Sequence, residues 1–329
     1  SIALATNSTG NATVSNDAGL EFAASTVGGA LTATAVTGNI IDSGALTIAG
    51  TSAFTTSADD ATITLNTSTN AFTGAVTLTT NDGDGTAANV TIDGGTTALV
   101  IAASTVDGDL TLTSGNVAGI TDTGTLTIGG NLSATTDANA GVVTLDSLAV
   151  DGSIALATNS TGNATVSNDA GLIFAASTVG GTLSATAVTG NVSDTGTQAI
   201  TGAATYITRA AGSNIILDDS ANTYAAQVTF KADTGGNETF GNLTFVDTGG
   251  IKLDADADAA GDLFIDGSTD GAVGGNLTLT SVTGNVTQGV ALAVTGTTTV
   301  TTSADDATIT LGTSTNAFTG AVTLTTNDG

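Results

Sequence analysis

Apolar and polar residues alternate along almost the whole chain. Leu277-Thr-Leu-Thr280, Ala291-Leu-Ala-Val294, Ala307-Thr-Ile-Thr-Leu311 and Ala321-Val-Thr-Leu-Thr325 each put every second residue on one side, the pattern of a strand with one buried face. Gly-Asn, Asn-Asp-Gly, Asp-Gly-Gly and Ser-Thr-Gly separate these stretches, and they are turn chemistry. No segment sustains the helical period, and the Ala clusters near Ala102 and Ala257 are too short and too poor in Leu for helices. The pattern predicts an all-β protein built from many short strands.

The strands come in copies. Gly28–Gly50 reads GGALTATAVTGNIIDSGALTIAG, Gly180–Gly202 reads GGTLSATAVTGNVSDTGTQAITG, and Gly274–Gly296 reads GGNLTLTSVTGNVTQGVALAVTG, at offsets of 180 − 28 = 152 and 274 − 180 = 94. Ser1–Leu20 recurs unchanged as Ser153–Leu172, and Thr55–Gly83 recurs as Thr301–Gly329 with one change, Asn66 to Gly312. Both ends fall inside repeats, so the chain reads as a window on a longer array.

Within the blocks a looser phrase, Gly-(Gly)-x-apolar-x-x-Thr, puts its apolar or small residue at Leu31, Ser52, Val76, Leu110, Leu132, Ile154, Leu183, Ala204, Val228, Leu277, Thr298 and Val322. If the widest gap, 277 − 228 = 49, hides two coils, the mean spacing is roughly 24 residues, with some coils enlarged by loops. That length suits three short strands and tight turns. The expected fold is a parallel β-helix (β-solenoid), with three short strands and roughly 24 residues per coil, stacked about 4.8 Å apart. Residues 1–329 are expected to form one continuous segment, with 203–273 its least repetitive part. Coil register is open in 76–110 and 228–277. Aromatics follow the copies. Phe22 matches Phe174, Phe72 matches Tyr224 and Phe318, and Phe54 becomes Tyr206 and then Val300, the volume drift a core ladder tolerates.

Composition narrows the function. The net charge is −27, with Arg209, Lys231 and Lys252 the only basic residues. Such a chain repels nucleic acid and anionic membranes, stays soluble despite its strands, and offers trypsin few sites. No apolar run approaches a membrane helix, so membrane insertion is not expected. The chain has no His and no Cys, which removes imidazole catalysis, thiol nucleophiles and disulfides. Adjacent carboxylates at Asp59-Asp60, Asp305-Asp306 and Asp218-Asp219 are read as solvated turn residues, because neighbours on a strand face opposite ways; no enzyme activity is expected.

Calcium is the cofactor these residues allow. Asn81-Asp-Gly-Asp-Gly85 and Asp254-Ala-Asp-Ala-Asp258 place carboxylates at alternate positions, so Asp82, Asp84, Asp254, Asp256 and Asp258 are candidate ligands, against a reading as solvated loops. Thr-x-Thr pairs such as Thr111-Leu-Thr113 invite an ice-binding reading, but Ser-Ala-Thr, Ala-Leu-Ala and Thr-Phe-Lys at other anchors break the array. Sequons such as those at Asn163 and Asn285 read as chance turns.

Gly275-Asn-Leu-Thr-Leu-Thr280 and Gly284-Asn-Val286, with their relatives along the chain, resemble the filamentous-haemagglutinin-like repeats of large secreted bacterial exoproteins. The resemblance implies a right-handed parallel β-helix at a bacterial cell surface, in an adhesin stalk or extracellular fibre. The expected role is therefore a structural fibre or stalk whose partners are copies of itself, end to end or laterally. The alternative is an adhesin that grips a receptor or glycan, for which Tyr206 and Tyr224 are the only tyrosines on offer. An uncapped end exposes a coil of unpaired strands, so each end is expected to abut further coils.

Overall fold

The computed structural model describes residues 1–81, 83, 87–233, 239–254, 262–266 and 272–327, with Ile265 the one side chain described between 262 and 266. The fold is an all-β parallel β-solenoid of about 13 turns, about 22 residues each, with no helix among the described residues. Two compact units divide the chain, Ser1–Val166 and Ser167–Gly329.

In the first unit a turn consists of one long strand and two short ones. Ala12–Asn16, Leu31–Ala35, Ser52–Thr56 and Val76–Thr79 are the long strands. Between them lie the short pairs Leu20–Phe22 with Ser25–Val27, Ile40–Asp42 with Leu46–Ile48, and Ile63–Leu65 with Ala71–Phe72. Like stacks on like in parallel, Leu31 on Ser52 and Ser52 on Val76, Leu20 on Ile40 and Ile40 on Ile63. The alternation seen in the sequence decides the inside. Leu31, Ala33 and Ala35 are buried, while Thr32 between them is exposed. The interior takes aliphatic and small side chains, and β-branched Thr covers the outside, where it suits a pleated surface.

After Val76–Thr79 the sheets exchange roles. The next strand among the described residues, Val90–Asp93, is again long. It stacks on the short strand Ile63–Leu65, and the long strands Leu110–Ser114, Leu132–Asn139 and Ile154–Asn159 follow on that side. The short strands Leu99–Ile101 and Ser104–Val106 land on the sheet that had carried long ones, through Val76↔Ile101 and Thr79↔Thr105.

The second unit repeats the exchange. Leu183–Ala187, Ala204–Thr208 and Val228–Ala232 stack as long strands, and Leu172–Phe174, Val192–Asp194 and Ile215–Leu217 as short ones. A second long strand in succession, Leu243–Asp247, then stacks on Ile215–Leu217, and Leu277–Ser281, Thr298–Asp305 and Val322–Asn327 continue it.

These exchanges account for the anchor spacing. Eight neighbouring anchor pairs are true register partners, from Leu31↔Ser52 to Thr298↔Val322. The gap from Val76 to Leu110 is no enlarged coil, because Val76 pairs with Ile101 on one sheet and Leu110 with Val90 on the other. Val228 and Leu277 differ in the same way, although one turn there is long, with Leu243 paired to Leu277 (277 − 243 = 34). Treating changes of sheet as long loops inflates the mean, so the turn is about 22 residues and not the 24 that the anchors suggest.

The aromatic residues stack inside. Phe22, Phe54 and Phe72 meet edge to face with centroids 6.5 and 6.1 Å apart. In the second unit Phe174, Tyr206 and Tyr224 form the corresponding column at 6.0 and 6.4 Å, and Phe230 and Phe245 extend it, with Tyr206–Phe230 at 5.9 Å and Phe230–Phe245 at 5.3 Å. Offset and edge contacts of this kind add roughly 0.5–1.5 kcal/mol each beyond burial.

Candidate functional site

Polar chemistry in this molecule concentrates where turns leave strand amides unpaired. At one corner, asparagines form ladders between turns. Asn89 Oδ1 accepts the Asp109 N–H at 2.7 Å, Asp109 Oδ1 accepts Asn131 N–H at 2.7 Å, and Asn131 Oδ1 accepts Ser153 N–H at 2.9 Å. In the second unit Asn191, Asn214, Asn242 and Asn276 pass the same bond to Asn214, Asn242, Asn276 and Thr297 at 2.6–2.9 Å. Each side-chain carbonyl satisfies an N–H that the bend takes out of the strand ladder. At another corner a Thr hydroxyl closes the turn, Thr136 Oγ1 on Gly141 O at 2.9 Å and Thr158 Oγ1 on Gly162 O at 2.6 Å. Ala140 and Ser160 in those turns have φ of 59° and 57°.

A second amide group is buried. Asn70 is 1% exposed, accepts Leu46 N–H through Oδ1 at 2.7 Å, and donates to Asp42 Oδ2 at 2.7 Å. Its counterpart Asn222 is fully buried, accepts Gln198 N–H at 2.7 Å and donates to Asp194 Oδ2 at 2.6 Å. Asn316 accepts Leu292 N–H at 2.9 Å and donates to Gln288 Oε1 at 3.1 Å. The spacing of these three, 222 − 70 = 152 and 316 − 222 = 94, is that of the blocks, so the repeat itself carried a signal that hydrophobic patterning passes over. Burial raises the Asp194 carboxyl above its ordinary range, against the lowering effect of the Asn222 amide. Asp247, 2% exposed beside the same column, is raised by burial as well, while bonds from the Gly249, Tyr224 and Thr248 backbone oppose the shift.

Both tyrosines are buried, Tyr206 fully and Tyr224 to 5% exposure, and their hydroxyls bond to each other at 3.1 Å. Desolvation pushes both phenols up. They fill ladder positions, as their alignment with Phe54 and Phe72 implies, and Tyr224 also lines an open cleft.

Of the five candidate calcium ligands, Asp82, Asp84, Asp256 and Asp258 lie outside the described residues. Asp254 forms an ion pair with Lys252. Among the described residues no three carboxylates, imidazoles or thiols gather as a metal cluster. No helix among them is long and apolar enough to cross a membrane.

Of the clefts open to solvent among the described residues, two are of nearly equal size. One, of about 340 Å3, is lined by Tyr224, Asp247, Gly250, Ile251, Lys252 and Asn285, among others, in the least repetitive part of the chain and its neighbouring turn. The other, of about 330 Å3, is lined by Gly19, Leu20, Glu21, Gly38, Asn39 and Ile41.

Comparison with known proteins gives one match. A family described as repeats of unknown function (DUF5649) matches residues 9–79, 87–159, 161–231 and 240–325. No curated protein and no solved structure matches. Each matched segment opens and closes on a long strand, Ala12–Asn16 and Val76–Thr79 in the first, Val90–Asp93 and Ile154–Asn159 in the second. The two long strands that meet in succession are therefore the end of one repeat and the start of the next. The first repeat holds four long strands and three short-strand pairs, so it ends half a turn out of phase. The offset of 152 is two repeats, since 161 − 9 = 152.

Proposed function

Since the chain belongs to the DUF5649 family of repeats, we propose that it is a structural element, a stretch of solenoid that builds an extracellular or cell-surface fibre or stalk by stacking repeats. The observation that carries this reading is the regularity of the connections from turn to turn. Strand register continues in each unit through the point where the sheets exchange roles, and in the second unit the asparagine ladder and the aromatic column cross it as well. A repeat added to such an array extends the same ladders and needs no new interface. Block duplication as close as Thr55–Gly83 against Thr301–Gly329 is what lengthening of this kind leaves behind. The role is mechanical rather than catalytic, and the partners are further coils of the same kind, end to end or side by side.

The charge supports an exposed setting. With three basic residues against thirty carboxylates, tryptic sites are few and like charge keeps rods apart in solution. Negative-stain electron microscopy of the native material tests the proposal. Straight filaments whose length grows with the number of repeats are expected, and discrete compact particles would overturn it.

A further inference from the structure

The clefts of about 340 and 330 Å3 are the same place in the repeat, while a third, of about 240 Å3 and lined by Thr239, Val273, Val294 and Ala317 among others, lies elsewhere. Leu20 pairs with Ile40 and Ile251 with Val286, and the glycine before each of these strands, or before its opening Asn, faces its counterpart one turn away. A Cβ on Gly38 would stand 2.7 Å from Gly19 N, and one on Gly284 would stand 2.7 Å from Gly250 N. Gly190 meets Gly171 N at the same 2.7 Å in a third copy. No side chain fits on either turn, so a depression opens at this corner. Its floor is peptide plane with the edge of Leu20 or Ile251, and its rims are paired outward residues, Glu21 with Ile41 and Lys252 with Thr287.

The occupant can be argued from what the copies share. An added peptide strand is excluded at this corner, because the strand amides already bond between turns, Leu20 N to Asn39 O at 2.8 Å and Ile251 N to Asn285 O at 2.9 Å. Ionic recognition is not shared, since the same rim position is Glu21, Ile173 or Lys252. A polyanion would meet a chain of net charge −27. What remains in common is neutral. Peptide planes line the floor, and an Asn accepts a strand N–H through Oδ1 (Asn39 from Thr62 at 2.9 Å, Asn285 from Thr308 at 2.7 Å), which leaves its NH2 group as a donor. The methyl groups of Ile41 or Thr287 stand beside it. Hydroxyls set on a C–H surface match that combination, and about 340 Å3 lies at the small end of ligand sites of roughly 300–1,000 Å3.

We propose that the glycine-on-glycine corner is a repeated binding site for neutral oligosaccharide. The inference does not rest on the filament reading, and each test can fail without the other. Cellohexaose, mannohexaose and chitohexaose are titrated into the isotope-labelled full chain, and amide shifts are mapped. At least one sugar is expected to move the Gly19, Leu20, Gly38 and Asn39 amides, or those of 250–252 and 284–285, with saturation and no loss in 0.5 M salt. The double variant Ile41→Arg/Thr287→Arg lays long side chains over both depressions from outward positions, and affinity should fall at least tenfold while circular dichroism is unchanged. No shift with any of the three sugars, shifts confined to other residues, loss of binding in salt, or unchanged affinity in the double variant would each overturn the proposal.

Discussion

A single side chain counts in this molecule according to whether its polar atoms are matched inside a narrow core. Tyr206 and Tyr224 stand where the first unit has Phe54 and Phe72, and each hydroxyl has the other as partner. Tyr206→Phe strands the Tyr224 hydroxyl and should cost roughly 1–3 kcal/mol, whereas Tyr206→Phe/Tyr224→Phe removes both and should be close to neutral. Denaturant unfolding of the two singles and the double reads this as a cycle. Ser52 and Thr298 show the reverse case. Both are 1% exposed, and their hydroxyl oxygens have no partner among the described residues. Their counterpart Ala204 is the apolar solution. Thr298→Val should therefore stabilise the fold by about 1 kcal/mol, seen as a higher urea midpoint at unchanged slope. Asn222 is the costly one to lose, because its amide serves both the Gln198 N–H and the Asp194 carboxyl. Asn222→Ala leaves both buried and should cost at least roughly 2–3 kcal/mol, which thermal unfolding would show.

At the scale of the element, the turn is the unit that can be added or removed. Leu31 and Ser52 occupy the same register position, so excision of residues 31–51 joins Ala30 to Ser52 and keeps every remaining strand in phase. The shortened chain should keep its β-type circular dichroism and a cooperative transition. Excision of 31–39 alone, one long strand without its short pair, breaks the phase and should abolish that transition. Sequence patterning reached this level well. It found strand-like alternation, most register partners and the three strands per coil, because one buried face imposes a two-residue period on every strand. It missed the exchange of sheets. A long strand reads the same whichever sheet it joins, so Val76 and Leu110 carry one phrase while lying on different sides.

For the whole molecule, charge sets the response to pH. Asp93, Asp122, Asp194 and Asp247 all have carboxyl groups raised above the ordinary value, with burial the largest cause in each. A carboxyl whose folded pKa exceeds its unfolded one, about 3.9, penalises the fold while it is ionised. Stability is therefore gained as pH falls through the raised folded value, and lower overall repulsion adds to the gain. The thermal midpoint should be higher near pH 4, about the unfolded value, than at pH 8, and a flat or falling midpoint would count against these buried carboxylates. The buried site chemistry was the least legible part. Asn70 and Asn222 read as turn residues, since only packing shows that their turns point inward.

The sequence by itself determined the fold class, the strand inventory and the core ladders. These depend on local period and on copies placed in line, and both are one-dimensional facts. The tertiary structure decided the half-turn phase of the repeat, the inward asparagines and the glycine corners. Each depends on which turn lies above which. A chain that repeats after 152 residues leaves that question open, because its copies fit the stack on either side.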